Sequence, residues 1–281
     1  MPDSHPLSHT VSYYAVIGKP VTHSKSPLIH TLFAQQSGQA LVYEAIEVDE
    51  DKFEAFVADF FSKQGAGLNI TVPYKEKAFA LVNRCSPRAT LAKAVNTLFL
   101  DEENKLYGDN TDGWGLVTDI KLNHGFSIKA KRILILGAGG AVRGALGALV
   151  AEHPSSISIA NRTLSRAEQL CHEFAHFAEL TAHTYQTIGS QQFDLIINGT
   201  SLGLSGEIPP INPELIAADA CCYDMMYSDS DTAFVSWAKK QGAALCLDGL
   251  GMLVEQAAEA FAIWHGTRPD TASVIAHLRS R

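Results

Sequence analysis

KRILILGAGGAVRGALGALVAEHPSSISIANR, residues 131–162, is the stretch whose reading decides the fold. Ile133, Leu134, Ile135 and Leu136 form an unbroken apolar run, the pattern of a strand buried on both faces of a parallel sheet. Gly137-Ala138-Gly139-Gly140 follows at once. Small residues from Ala141 to Glu152 then read as a helix, and Ile157 to Ala160 as a second strand. Strand, glycine turn, helix, strand is the unit that sets a pyrophosphate against backbone N–H groups at a helix N-terminus. Gly137 allows the tight turn, and Gly139 lets the backbone approach the phosphates. The strict fingerprint wants a third glycine at position 142, where this chain has Val142 between Gly140 and Gly144. A glycine turn alone is a weak signal; its place after a buried strand favours a dinucleotide site over a merely structural turn.

The end of the second strand narrows the cofactor. About 20 residues past the glycines, NAD-binding units carry an acid for the ribose hydroxyls. This chain has Asn161-Arg162-Thr163-Leu164-Ser165-Arg166 there. A carboxylate would repel a 2′-phosphate, whereas Arg162 and Arg166 grip one bidentately and Thr163 donates to it. The reading is NADP, against the plainer one of a solvated helix start with two surface arginines.

Working outward, 281 residues suffice for two ordinary domains. With 46% hydrophobic and 19% charged residues the chain reads as soluble and globular, and its net charge of -8 argues against nucleic acid or an anionic membrane as partner. No uncharged apolar run reaches the ~18 residues of a membrane span. The start, MPDSHPLSHT, lacks the basic-then-apolar pattern of a signal peptide. Cys85, Cys171, Cys221, Cys222 and Cys246 are odd in number and scattered without a CxxC, so they are expected reduced and mostly buried, in the cytoplasm.

Before the glycine unit, strands are expected at residues 13–17, 41–48, 68–72 and 95–100, with a return after Asn104. Helices are expected from Ser26 to Gly38 with Ser26 as N-cap, from Asp51 to Lys63 with Phe53, Phe56, Val57 and Phe60 on one face, and from Lys75 to Val82. This alternation predicts a first α/β domain, mostly parallel. Asp112 to His124 is a helix leading into the nucleotide domain. After Arg162 come a helix over 165–177, strands near Thr184, Leu195–Ile197 and Cys222, a helix over 231–241 and a strand over 244–247. A long helix then runs from Gly249 to about Trp264, with a last one after Pro269.

Four polar segments lie outside the nucleotide unit: Gly18-Lys-Pro-Val-Thr-His-Ser24-Lys-Ser26-Pro, Asn69-Ile-Thr71-Val-Pro-Tyr-Lys75, Ala94-Val-Asn96-Thr97, and Gly108-Asp-Asn110-Thr111-Asp112-Gly113. The first puts two hydroxyls at a helix N-terminus, where a carboxylate is welcome. The others place amides, a Lys and a carboxylate at strand ends, where open α/β sheets bind ligands. Any one alone is turn and cap chemistry. Four together, rich in Ser, Thr and Asn around one Lys and one Asp, suggest a site for a polyhydroxylated acid.

In this order the segments resemble those of shikimate dehydrogenases, NADP-dependent enzymes of aromatic amino-acid biosynthesis. The matching pieces are GKPVTHSKSPLIH, NITVPYK, AVNT, GDNTDGWG, GAGGA, NRTLSRA, NGTSLGL, YDMMY and DGLGMLVEQAAEAF, spanning Gly18 to about Gly266. The resemblance implies reversible hydride transfer between NADPH and 3-dehydroshikimate, giving shikimate. It implies that Lys75 and Asp112 are the catalytic pair, and that Ser24 and Ser26, with Tyr227 near them, bind the substrate carboxylate. Thr71, Asn96, Asp112 and Gln256 would hold ring hydroxyls. Gly137, Ala138, Gly139, Gly140 and Ala141 would take the pyrophosphate. Asn161, Arg162, Thr163, Leu164, Ser165 and Arg166 would take the adenosine phosphate, and Met225 and Gly249 would line the nicotinamide. It further implies an α/β substrate domain over 1–111, a doubly wound, Rossmann-type NADP domain over 112–248, and helices over 249–281 returning to the first, in a monomer or homodimer.

Two departures stand out. Pro87 occupies a place where the family often has an acid on the cofactor side, and Ser228-Asp229-Ser230-Asp231-Thr232 lacks the usual proline, so a changed loop is expected. Lys75 serves as the acid–base group if burial lowers its pKa, while Asp112 pushes the other way; the residues alone leave open which moves the proton. A competing motif, His172-Glu173-Phe174-Ala175-His176, matches the HExxH of zinc hydrolases. Its continuation has Glu179 and Ala182 where Gly and His belong. Leu170, Phe174 and Phe177 read as a buried face that leaves the histidines toward solvent, so no metal is expected. The nearer alternative is a quinate/shikimate dehydrogenase preferring NAD, which the two arginines and Ser26 oppose. A non-catalytic nucleotide sensor is opposed by the retention of both Lys75 and Asp112.

Overall fold

The structure, a computed structural model, describes residues 11–280. The first half runs β1 (Ser12–Gly18), α1 (Ser26–Ser37), β2 (Leu41–Glu47), α2 (Phe53–Ser62), β3 (Gly67–Ile70), α3 (Lys75–Leu81), β4 (Arg84–Cys85), α4 (Pro87–Ala92), β5 (Thr97–Leu100), β6 (Leu106–Asp109). Its strands form one sheet in the order β2-β1-β3-β5-β6-β4. β1 runs parallel to β2 and β3, and β4 parallel to β6, but β5 is antiparallel to both its neighbours. The sheet is therefore mixed: β5 and β6 are joined by a tight turn closed by Asp101 N–H donating to Lys105 O at 2.9 Å, and a tight turn can only join antiparallel strands.

The second half runs α5 (Asp112–Thr118), extended by a π turn (Asp119–Asn123), then β7 (Arg132–Leu136), α6 (Gly140–Ala151), β8 (Ser156–Ala160), α7 (Leu164–Phe174), β9 (Leu180–His183), β10 (Phe193–Asn198), β11 (Ile216–Asp224), α8 (Ala233–Lys240) and β12 (Leu245–Leu247). These strands make a wholly parallel sheet, ordered β12-β11-β10-β7-β8-β9. This is the doubly wound pattern, reversing between β7 and β10, which is where such sheets open a crevice for ligands. The unbroken apolar run of β7 is explained by its two faces. Ile133 and Ile135 join one buried cluster, Leu134 and Leu136 the other, and none exceeds 1% exposure.

Two final helices, α9 (Leu250–His265) and α10 (Thr271–Arg279), leave the second sheet. Leu250, Val254, Ala257 and Phe261 of α9 bury themselves with Ile29 and Phe33 of α1 and Val274 and Leu278 of α10. Their other side meets α5 so closely that a Cβ on Gly115 would lie 2.7 Å from Met252 O and 2.8 Å from Gln256 Cβ.

Several local expectations are corrected. Ser26 is itself the first residue of α1, and Lys25 holds the cap position; the cap-like bond comes from Ser24, whose Oγ accepts from Ser26 N–H at 3.2 Å. α2 begins only at Phe53, after a 3-10 turn over Glu50–Lys52, and Phe56 is left half-buried beside buried Phe53, Val57 and Phe60. Sequence patterning missed α4, six residues being too short to show a helical period, although Ser86-Pro87 is a cap-and-first-turn signal: Ser86 Oγ accepts from Ala89 N–H at 3.1 Å. The helix expected over 165–177 stops at Phe174, and Phe177 is 59% exposed. There it lines, with Leu91 and Trp114, a cavity of about 550 Å³ between α4 and α6. Of the cysteines, only Cys221 and Cys222 are fully buried; all five are unpaired.

Candidate active site

Three loops at strand ends and one helix face converge between the two sheets. Lys75 opens α3 beyond β3, Asn96 precedes β5, Asp112 opens α5 beyond β6, and Gln256 faces them from α9. Lys75 Nζ donates to Asp112 Oδ2 at 2.6 Å, and Asn96 Nδ2 donates to Asp112 Oδ1 at 2.9 Å. Asn96 Nδ2 also reaches Thr111 Oγ1 at 2.9 Å and Gln256 Oε1 at 3.4 Å, and Thr111 Oγ1 donates to that oxygen at 3.4 Å. Asp112 is held from behind as well, its N–H donating to Asn110 Oδ1 at 3.1 Å. With the Lys75 side chain 22% exposed and that of Asp112 9%, the pair is sheltered but reachable from one side. A charge-assisted bond of this length in a sheltered place is strong, and it fixes the position of the ammonium group.

This pair touches the nucleotide unit. A Cβ on Gly113 would lie 2.7 Å from Gly144 O, and a Cβ on Gly144 would lie 3.4 Å from Asp112 Oδ2. Glycines at both positions let α5 and α6 cross in near backbone contact, about one helical turn below the glycine turn that starts α6.

That turn is built for close approach. Gly137 has φ +104°, a conformation that side chains with a Cβ resist, and its Cβ position lies 3.1 Å from Gly199 O. Gly139 and Gly140 face open space, and the α6 N-terminus has no side-chain cap, so its first N–H groups remain for an outside acceptor. Val142 is buried, and a Cβ on Gly199 would meet its Cγ2 at 2.4 Å. The close-packing glycine absent at 142 is thus supplied across the switch point by Gly199. From there the cluster continues to the other expected cofactor residues. A Cβ on Gly199 would lie 3.1 Å from Met225 Sδ, and one on Gly249 2.3 Å from Met225 O. Asn161 at the end of β8 turns its amide to Thr163 O at 2.8 Å, and Arg162, Thr163, Leu164, Ser165 and Arg166 are exposed. Nothing in that segment is acidic, and the residues fit a phosphorylated dinucleotide.

At the opposite end, Ser24 lies half-buried and Ser26 buried at the start of α1. Thr71, just past β3, lies against Gly18, where a Cβ would meet its methyl at 2.3 Å. Tyr227 packs with Leu28 on the α1–α9 core, and Lys25 Nζ meets Asp229 at 3.0 Å, so the 227–229 segment is tied to the Ser24–Ser26 turn from two sides. Farther along that loop, Thr232 caps α8 without a proline: its Oγ1 accepts from Val235 N–H at 3.2 Å and donates to Asp224 at 2.6 Å. At Pro87 the missing acid leaves a helix start whose neighbour Arg88 spans Asp109 at 2.7 Å and Glu259 at 3.0 Å. Burial raises Asp109, but Arg88 and Ser86 outweigh it and hold the carboxyl below its usual range.

The HExxH residues do not assemble. α7 ends at Phe174, so His176 lies beyond the helix. The Glu173 carboxylate is held down at about 2 by Arg143, which binds it together with Lys93 at 3.1 Å. Among the described residues no group of three or more His, Cys, Asp or Glu could hold a metal ion, and no helix is long and apolar enough to cross a membrane.

Sequence reasoning gave no role to Thr111 or Tyr43. The first sat beside Asp112 in a segment already singled out. The second shows no local signal, because its importance comes from strand pairing.

Comparison with known proteins agrees along the whole chain. Residues 16–98 match the model of the shikimate dehydrogenase substrate binding domain, 120–204 that of shikimate / quinate 5-dehydrogenase, and 249–279 that of the shikimate 5'-dehydrogenase C-terminal domain. The chain is 55% identical over 266 residues to the protein of Alkalilimnicola ehrlichii named shikimate dehydrogenase (NADP(+)), covering 95% of this chain and 98% of that one. An Ael1 enzyme from Pseudomonas putida superposes with a TM-score of 0.90 at 46% identity, over 95% of this chain and 98% of that one. Shikimate 5-dehydrogenase of Thermus thermophilus, crystallised with NADP(H) and shikimate, superposes with a TM-score of 0.84 at 31% identity, over 96% of this chain and 99% of that one.

Proposed function

This chain belongs to the shikimate dehydrogenase family, and we propose that it catalyses the reversible NADPH-linked reduction of 3-dehydroshikimate to shikimate with Lys75 and Asp112 as its catalytic pair. The observation that carries the reading is the 2.6 Å ion pair of these two side chains, set against the helix that the glycine turn begins.

When bound, NADPH supplies the hydride and NADP accepts it. The chain's own part is proton handling, placement and exclusion of water. Reducing the ketone puts negative charge on its oxygen. Lys75 Nζ, held by Asp112, donates the proton there and takes it back in the reverse direction. Asp112 keeps the ammonium in place and accepts from a ring hydroxyl. Asn96, Gln256 and Thr71 hold the remaining hydroxyls, and Ser24, Ser26 and Tyr227 hold the carboxylate. The N–H groups from Gly137 to Ala141 take the pyrophosphate and Asn161 to Arg166 the adenosine phosphate, while Met225 and Gly249 form the floor for the nicotinamide.

On this reading residues 1–111 serve the substrate and 112–248 the cofactor, and 249–281 return Gln256 to the substrate side; residues 1–10 lie outside those described. The same proposal makes the enzyme cytoplasmic and a monomer or homodimer, which sedimentation of the purified protein checks. The test of function is an assay of shikimate and quinate, each with NADP and with NAD. Shikimate with NADP is expected to give the highest kcat/KM, by about tenfold or more. Equal or better turnover of quinate with NAD would replace this reading with the NAD-linked one.

A further inference from the structure

A hydrogen-bond path enters the catalytic pair from the far edge of the first sheet, joined at Asn96 by Thr111, whose N–H donates to Asn96 Oδ1 at 2.9 Å. Tyr43 on β2 donates its only hydroxyl proton to Asn69 Oδ1 at 2.7 Å, and the same hydroxyl meets Ser26 of the proposed carboxylate site. The Asn69 amide on β3 donates to Thr97 Oγ1 at 3.1 Å, with Asn96 O also 3.1 Å away. Thr97 on β5 donates its one proton to Asn96 Oδ1 at 2.8 Å, and Asn96 donates to Asp112 Oδ1 at 2.9 Å. Tyr43 and Asn69 are each 6% exposed, Asn96 2% and Thr97 0%, so the path runs through buried side chains.

The order of the bonds matters. A phenol and a hydroxyl have one proton each to give, and each is given toward Asp112. An amide that accepts on its oxygen becomes a better donor through its nitrogen, so bonds running in one sense strengthen one another where water is absent. Tyr43 is also fixed as a starting point: its ring lies flat on His30, with centroids 4.1 Å apart and planes at 6°. Burial drives the His30 imidazole down to about 3, so it places no charge against the phenol.

From this we infer that Tyr43 and Thr97 are positioning residues for the reaction, acting through Asn69 and Asn96 to set the Asp112 carboxylate and, through it, the Lys75 ammonium. The inference rests on the proposed assignment of Lys75 and Asp112 as the catalytic pair.

The test is kinetic, on the purified full chain with shikimate and NADP. Thr97→Val should lower kcat about tenfold and Tyr43→Phe about threefold, the size of one or part of one buried hydrogen bond. Shikimate and NADP KM should stay within about twofold in both, because neither residue is itself assigned to substrate or cofactor. The two losses must not multiply: in the Thr97→Val background, which already cuts the path, Tyr43→Phe should cost nothing more. Thr97→Ser, which keeps the hydroxyl, should restore kcat. Multiplied losses, or a rise in shikimate KM at unchanged kcat in Tyr43→Phe, would overturn the relay and leave Tyr43 a local or substrate-binding group. Asp112→Asn separates the two readings: if it keeps full activity the catalytic-pair assignment fails, whereas if it is inactive while both upstream variants run at the parent rate only the relay fails.

Discussion

One helix carries two buried carboxylates seven positions apart, and their surroundings are opposite. Asp112, at the start of α5, has a lysine ammonium at 2.6 Å and an amide at 2.9 Å. Asp119, at the π turn that ends it, is 1% exposed and has neutral donors, Tyr223 hydroxyl at 2.7 Å and Asn123 amide at 2.9 Å, with His124 at 3.6 Å. Glu255, bonded to the same Asn123 at 3.0 Å, adds a second negative charge, which Arg268 offsets at 2.6 Å. Burial pushes Asp119 above the usual carboxylate range, and Glu255 adds to that. The difference teaches what each end of the helix is for. A carboxylate given its own cation directs that cation. One whose hydrogen bonds come from a hydroxyl and an amide, with a histidine only at 3.6 Å, resists charge and serves as a joint, here between α5, β11 and α9. A Cβ on Gly251 of α9 would lie 1.9 Å from Asp119 Oδ1, so the crossing of α9 is fitted around that side chain.

The sharpest way to break this contrast is at the catalytic end. Lys75→Ala should lower kcat by about 10²–10⁴ while shikimate KM moves only a few-fold, because Ser24, Ser26, Thr71, Asn96 and Gln256 remain to hold the ground state. Asp112→Asn should change both parameters, and the double variant should be little worse than Lys75→Ala alone, since groups acting as a unit are lost once. Steady-state kinetics of the three variants decide it. A raised KM at unchanged kcat in Lys75→Ala would make Lys75 a binding residue.

The two ends of the helix also differ in how far the sequence disclosed them. Asp112 was legible because its neighbours Asn110, Thr111 and Gly113 form a polar, glycine-marked segment at a strand end. Asp119 was not: it sits mid-pattern in what reads as one continuous helix, and its partners Tyr223 and Gly251 are brought to it only by the parallel pairing of β11 and the crossing of α9. The same holds for the fold. β7 declared itself through an apolar run that both faces of the sheet require. The turn and return after Asn104 likewise marked the antiparallel β5–β6 pair, but the six-residue α4 stayed hidden because six residues show less than two helical turns.

A third arrangement of charge sharpens the rule. Arg162 and Arg166 are cations left exposed beside a turn that contains no acid, the opposite of a buried carboxylate given its own lysine. Groups so placed are suited to a partner from outside, and only NADP brings a phosphate on the 2′ position. Arg162→Ala should therefore weaken NADP about tenfold to a hundredfold, as loss of a charge-assisted bond does, with NAD nearly unaffected. Titration of both cofactors by fluorescence or KM measures the difference. Equal weakening of NADP and NAD would make Arg162 a structural residue and limit the rule to buried charges.

The smallest effect tests the joint itself. Because the folded chain raises the Asp119 pKa, it binds that proton more tightly than the unfolded chain does. The stability this contributes is complete below the ordinary carboxylate range and is lost as pH rises through the raised value. Asp119→Asn removes the titration while keeping an oxygen for Tyr223 and roughly the same volume. Glu173 and Asp194, both held at about 2 by their arginines, act in the opposite direction, but they are common to both proteins and cancel in the difference. The Tm of the variant minus that of the parent should therefore become more positive as pH rises above the ordinary carboxylate range. Calorimetry of both proteins over that rise in pH reads the trend. The kcat of this variant should stay within about twofold of the parent, unlike that of Asp112→Asn, since Asp119 touches neither Lys75 nor Asn96. A Tm difference that is flat with pH would mean that Asp119 is ionised in the fold at no cost, and the two ends of the helix would then differ in position alone.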